Sequence, residues 1–174
     1  MQFRQETRFW AIAGVGTVLE TVALCSPAPS WKCVLLLIGL SASTVSAAAD
    51  AATGYIFDAV TLPSLAALLA FGFVFGHGAD VFLGASASGG AVLVLYIATA
   101  SRGIGLGDFK IACCIGAALG WCDGLAALGA AFIAGGMYAA IVLCARPSAR
   151  GTEVAFGPYL AAGMMGVAYF RMLA

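Results

Sequence analysis

Long apolar runs separated by short polar or turn-forming breaks organise the chain. Apolar residues fill most of positions 9–25, 32–49, 59–76, 81–100, 109–122, 124–145 and 157–173. The breaks read "SPAPSWK", "DAATGYIFD", "GHGAD", "SRGIGLGD", "WCD" and "RPSARGTEVAFGP". Runs such as "CVLLLIGL" and "SLAALLAFGFVF" do not alternate polar and apolar positions, which excludes the strand pattern of a membrane β-barrel. Apolar runs approaching about 20 residues predict membrane-spanning helices. The stretch 109–122 is short for a span, so it either begins inside the preceding loop or merges with its neighbour. The pattern predicts an all-α protein, a polytopic transmembrane helical bundle of six or seven spans. Residues 1–174 are expected to form one membrane-embedded domain. Gly and Ala crowd the spans, which favours close contact between helices.

Composition strengthens this reading. The chain of 174 residues is 63% hydrophobic and 9% charged, whereas a soluble domain carries roughly 25% charged residues. The formal net charge is zero, so nothing points to nucleic acid as a partner. Six cysteines, Cys25, Cys33, Cys113, Cys114, Cys122 and Cys144, include no C-x-x-C pair and lie mostly in apolar runs. They read as packing residues, not as a zinc ribbon or a disulfide framework. With a cytoplasmic N-terminus and seven spans, Arg4, Arg8, Arg102, Arg146 and Arg150 fall on the cytoplasmic side, with Lys110 just inside a helix start. Lys32 and Arg171 then fall outside, and Trp10, Trp31 and Trp121 land near the interfaces. A signal peptide is the alternative for the first run, but Glu20 interrupts it and "ALC" is a poor cleavage site.

The chemistry has few carriers. The acids are Glu6, Glu20, Asp50, Asp58, Asp80, Asp108, Asp123 and Glu153. Asp50 closes one apolar run and Asp108 opens another, with two predicted spans between them. Two spans return the chain to the same face, so both carboxylates are expected at one depth, at helix ends. Carboxylates near the membrane are costly and tend to mark function. Facing each other at about 5 Å, two of them would repel by roughly 3 kcal/mol at an effective dielectric of 20. One would then hold a proton while the other is charged, as in an aspartic protease. The structural alternative is that Asp108 only caps a helix. Gly103, Gly105 and Gly107 leave room for a peptide backbone beside Asp108. A phosphate-binding loop fits poorly there, because Asp108 would repel the phosphate.

Three blocks carry a resemblance. "GLGDFK" resembles the G-x-G-D motif of intramembrane aspartyl proteases, and Lys110 matches the G-D-x-K form found in type IV prepilin peptidases. "DAATGYIFDAVTLP" is similar to that family's D-x5-I-P-[DN] pattern and the V-T-L-P-like run after it. "VAFGPYLAAG" resembles the family's P-F-G-P-[FY]-L-A-x-G block. The resemblance implies Asp50 and Asp108 as the catalytic pair, with Gly105, Gly107, Lys110, Asp58, Gly157 and Pro158 as substrate-binding or supporting residues. It implies an intramembrane endopeptidase that removes basic leader peptides from prepilin-like precursors, after a glycine at the cytoplasmic membrane boundary. It implies no metal or organic cofactor, membrane lipid as the surrounding partner, and residence in a prokaryotic cytoplasmic (inner) membrane with the site facing the cytoplasm. Phe57 stands where the family usually has proline. The region with two C-x-x-C pairs found in methylating members has no counterpart here, so the chain looks like the short, peptidase-only form.

Other readings stay open. Lys110 either pairs with the charged member of the dyad, holds a substrate carbonyl, or reaches to the interface. Asp58 either attracts a basic leader or caps the helix beginning at Ala59. His77, Asp80 and Asp123 read as loop and helix-end residues on the outer side. The rival functions are a small multi-spanning transporter, which would carry acids at mid-depth, and a catalytically inactive scaffold of a pilus or secretion assembly.

Overall fold

The computed structural model of the protein describes residues 30–99, 104–145 and 155–173. The expected first span over 9–25, the signal-peptide alternative and Glu20 lie outside these residues, as do Arg4, Arg8, Trp10, Cys25, Arg102, Gly103, Arg146, Arg150 and Glu153. Six helices make up the described part: α1 (Ser30–Thr53), α2 (Asp58–Val74), α3 (Gly78–Ala98), α4 (Leu106–Leu119), α5 (Trp121–Ala145) and α6 (Gly157–Leu173). Three of them contain stretches long and apolar enough to cross a membrane: Trp31–Thr53, Gly78–Ala98 and Trp121–Ala145. Helix α2 is apolar but shorter, at 17 residues.

Helix boundaries differ from the sequence expectation where glycine decides them. Helix α1 runs through Asp50 to Thr53, so the break before α2 shrinks to residues 54–57. Gly54 stops it with φ +71°, and its N–H donates to the Asp50 carbonyl at 2.8 Å. The short segment expected at 109–122 begins instead inside the preceding loop, at Leu106, and ends at Leu119. Gly120, at φ +88°, turns the chain directly into α5, so "WCD" forms the first turn of that helix and is not a linker.

At 14 residues α4 is about 21 Å long, well short of a hydrocarbon core about 30 Å thick. It tolerates this length because it faces protein and not lipid. It packs against all five other helices, most extensively α3. Ile111, Ala112, Cys114, Ile115 and Ala117 are essentially inaccessible. The contact with α3 is made backbone to backbone: a Cβ on Gly84 would lie 2.1 Å from the Gly116 carbonyl oxygen. Small residues here let two helix backbones approach closely. Many large apolar side chains face outward, with Phe73, Val74, Phe82, Val94, Ile133, Ile141 and Phe170 all exposed. Apolar surface of this extent in a chain so poor in charge fits lipid as the surrounding solvent.

Successive helices run in opposite directions, which gives the bundle two distinct ends. The C-terminal end of α1 meets the N-terminal ends of α2, α4 and α6, tied by contacts among Asp50, Ile56, Asp58, Gly107, Lys110 and Gly157. The other end gathers the start of α1, the α2–α3 turn, the α4–α5 turn and the end of α6.

Candidate active site

Asp50 and Asp108 are the buried acids of the described residues, at 7% and 6% exposure. Asp50 lies in the last turn of α1. Its Oδ2 accepts the backbone N–H of Gly157, the first residue of α6, at 2.8 Å. The approach is so close that a Cβ at Gly157 would sit 2.8 Å from that oxygen and 3.0 Å from the Asp50 Cβ. A side chain at position 157 would therefore push α6 off the carboxylate. Buried Ser46 lies one helical turn before Asp50, on the same face of α1.

Asp108 caps α4 from inside the helix and is not its N-cap residue. Gly105 is the N-cap residue, in extended conformation, and Asp108 occupies the third helical position. Its Oδ2 reaches back to accept the Gly105 N–H at 2.9 Å, while its own N–H donates to the Gly105 carbonyl at 3.1 Å. This is the acidic half of a capping box. The carboxylate is thereby fixed against its own loop while the helix packs around it. Each acid thus has one oxygen tied to a glycine N–H at the start of a helix, where the helix dipole favours negative charge. Both acids thus lie at one end of the bundle, where the close of α1 meets the starts of α4 and α6.

The loops around them touch as well. A Cβ on Gly107 would lie 2.8 Å from the Cβ of Ile56, so the first turn of α4 rests directly on the segment between α1 and α2. Lys110 forms a hydrogen-bonded ion pair with Asp58, not with either dyad acid. Asp58 is the first residue of α2, whose N-cap is Phe57, so Asp58 is not the cap either. Phe57 has φ −79° and ψ 121°, the backbone conformation that a proline would impose. The Phe57 ring is half-exposed. Pro158, second in α6, follows Gly157 where a missing N–H costs nothing. Of the expected supporting residues, Gly105 and Gly157 bond the two acids, Gly107 bears on Ile56, and Lys110 and Asp58 bond each other.

The opposite end holds the remaining charges of the described residues. Arg171 donates to Asp123 at 2.7 Å, His77 stacks on Trp31 at 3.8 Å between ring centroids, and His77 Nδ1 lies 4.0 Å from Asp80. A cavity of about 710 Å³ opens there, bordered by Trp31, Lys32, His77, Asp80, Asp123 and Arg171. It is remote from Asp50 and Asp108, and of its acids Asp123 is paired with Arg171. Among the described residues Cys113, Cys114, Cys122 and Cys144 form no disulfide. Sequence reasoning missed the Asp58–Lys110 pair. The signal available to it was one opposite charge in each of two segments expected at the same face.

A protein-family model described as the type IV leader peptidase family matches residues 35–140. The match contains Asp50 and Asp108 and ends before Gly157. No curated protein and no solved structure gives a significant match.

Proposed function

The chain belongs to the type IV leader peptidase family, and on that premise we propose that it is an aspartic-type endopeptidase with Asp50 and Asp108 as its catalytic residues. The observation that carries the proposal is the presence of two buried carboxylates, each held by a glycine N–H, at one end of the bundle. In the proposed reaction the ionised carboxylate takes a proton from water as the oxygen attacks the scissile carbonyl. The protonated carboxyl donates a hydrogen bond to that carbonyl oxygen as it gains charge. Collapse of the tetrahedral intermediate breaks the C–N bond, and the leaving amine takes up a proton from the dyad. Holding each acid by a backbone N–H fixes its orientation before substrate arrives, so little reorganisation is left to the reaction.

The substrate class follows from the family: prepilin-like precursors with a short basic leader ahead of an apolar helix. The apolar helix would lie against the exposed apolar faces of the bundle, and the leader would stay in water beside Asp50 and Asp108. Cleavage would follow a glycine at the cytoplasmic boundary of a prokaryotic inner membrane. In this reading residues 1–174 form one membrane-embedded domain of six or seven spans, with α4 crossing only in the company of its neighbours. The test is direct. The purified chain in lipid vesicles is mixed with a precursor peptide bearing a basic leader, and the new termini are read by mass spectrometry. A single cut after glycine, lost in Asp108→Asn, is expected. An intact peptide with a folded wild-type chain, across precursors of this class, would contradict it.

A further inference from the structure

Two of the supporting residues contact each other at the edge of the site. Lys110 stands on the first turns of α4, two residues after Asp108, and Asp58 opens α2, eight residues after Asp50. Their side chains form an ion pair across the gap between the two segments. Beside it the Ile56 side chain lies against the Gly107 backbone, too closely for any Cβ at 107. The segment following one acid is therefore joined to the helix start carrying the other at two adjacent points, one charged and one apolar. Deeper in the bundle the same two helices meet again, where Cys114 Sγ approaches the Thr61 carbonyl at 3.5 Å.

We infer that Asp58 and Lys110 are positioning residues: together with the Ile56–Gly107 contact they form a clasp that sets Asp108 against Asp50. The inference rests on the protease reading above and adds a role that neither acid of the dyad supplies. The Lys110 side chain is 26% exposed and that of Asp58 57%, so the pair stands in partial contact with water at the rim. Its contribution to global stability is correspondingly small. Its effect lies in geometry, because a small misplacement of one reacting group costs far more in rate than in folding. The clasp also excludes two other uses of these side chains. A lysine bound to Asp58 is not reaching for lipid headgroups, and an aspartate neutralised by Lys110 offers little attraction to a basic leader.

The experiment measures kcat and KM for precursor cleavage by the full chain in lipid, using Asp58→Asn, Lys110→Met and the exchanged double variant Asp58→Lys with Lys110→Asp. The clasp predicts that each single variant lowers kcat about tenfold with KM within about twofold of wild type, and that the exchange restores kcat to within about threefold. Recruitment of the leader by Asp58 predicts something else: a raised KM in Asp58→Asn, no loss in Lys110→Met, and no rescue by the exchange. That result, or wild-type kcat in both single variants, overturns the clasp. If a single variant fails to insert, the exchange decides alone. An inserted, active exchange upholds the pair, and one as defective as the single variant overturns it. Asp50→Asn in the same assay separates the levels. Wild-type cleavage by that variant defeats the protease reading itself, whereas a dead Asp50→Asn beside fully active clasp variants defeats only the clasp.

Discussion

The two ends of the bundle contain similar residues used in opposite ways. At the end formed by the start of α1 and the close of α6, Asp123 is satisfied by Arg171 and Asp80 lies near His77, with both carboxylate partners being side chains. At the other end Asp50 and Asp108 are buried and are held by backbone N–H groups instead. A side-chain cation neutralises an acid. A backbone N–H orients it without adding a full opposite charge, which leaves the acid able to exchange a proton. The cavity lies at the end with Asp80 and Asp123 and not beside Asp50 and Asp108. The proposed function accordingly rests on the mode in which the acids are satisfied and not on the cavity.

Neutralising substitutions should separate the ends most strongly. Asp50→Asn or Asp108→Asn is expected to lower the cleavage rate by about 10³-fold, in the range of lost acid–base catalysis. Asp80→Asn, Asp123→Asn and Arg171→Ala are expected to stay within about twofold, since exposed pairs contribute little. Equal losses at both ends, measured as initial rates on one precursor, would erase the distinction. A smaller effect should follow Gly157→Ala. The added Cβ must displace α6 from Asp50, and a fall in kcat of roughly 30-fold is expected, with the protein still inserted. Gly136→Ala, where a Cβ meets open space, should leave the rate unchanged. The smallest effect on rate should come from the core of the bundle. Gly116→Ala brings a Cβ within 2.1 Å of the Gly84 carbonyl oxygen, so thermal unfolding in detergent should show a loss of about 1–3 kcal/mol. Gly129→Ala on α5 has free space and should show none.

Much of the fold was legible because lipid-facing helices advertise themselves as apolar runs. The expected runs at 32–49, 59–76, 81–100, 124–145 and 157–173 each correspond to a helix, within a few residues at each end. What hydropathy could not supply was the behaviour of α4. Its start at Leu106 is set by the Gly105 backbone and the Asp108 capping bond, and its end by the left-handed Gly120. Neither event changes hydropathy. The placement of Asp50 and Asp108 at one end of the bundle was accessible by counting spans. The bonds that hold them were not, because both donors are main-chain groups and carry no side-chain signature. Gly157 could be named from its motif, but its contact with Asp50 depends on α6 packing against α1. Lys110 shows the limit most clearly. Its spacing from Asp108 is local, whereas its partner Asp58 comes from another helix.

The central claim is that Asp50 and Asp108 act as one unit, and a double-mutant cycle on cleavage tests it most directly. Rates are measured for Asp50→Asn, Asp108→Asn and the variant carrying both, each shown to be inserted and folded. A unit predicts the same residual rate in all three, because removing either acid already removes the dyad. Wild-type cleavage by either single variant, or single losses that are partial and multiply in the double, would contradict it.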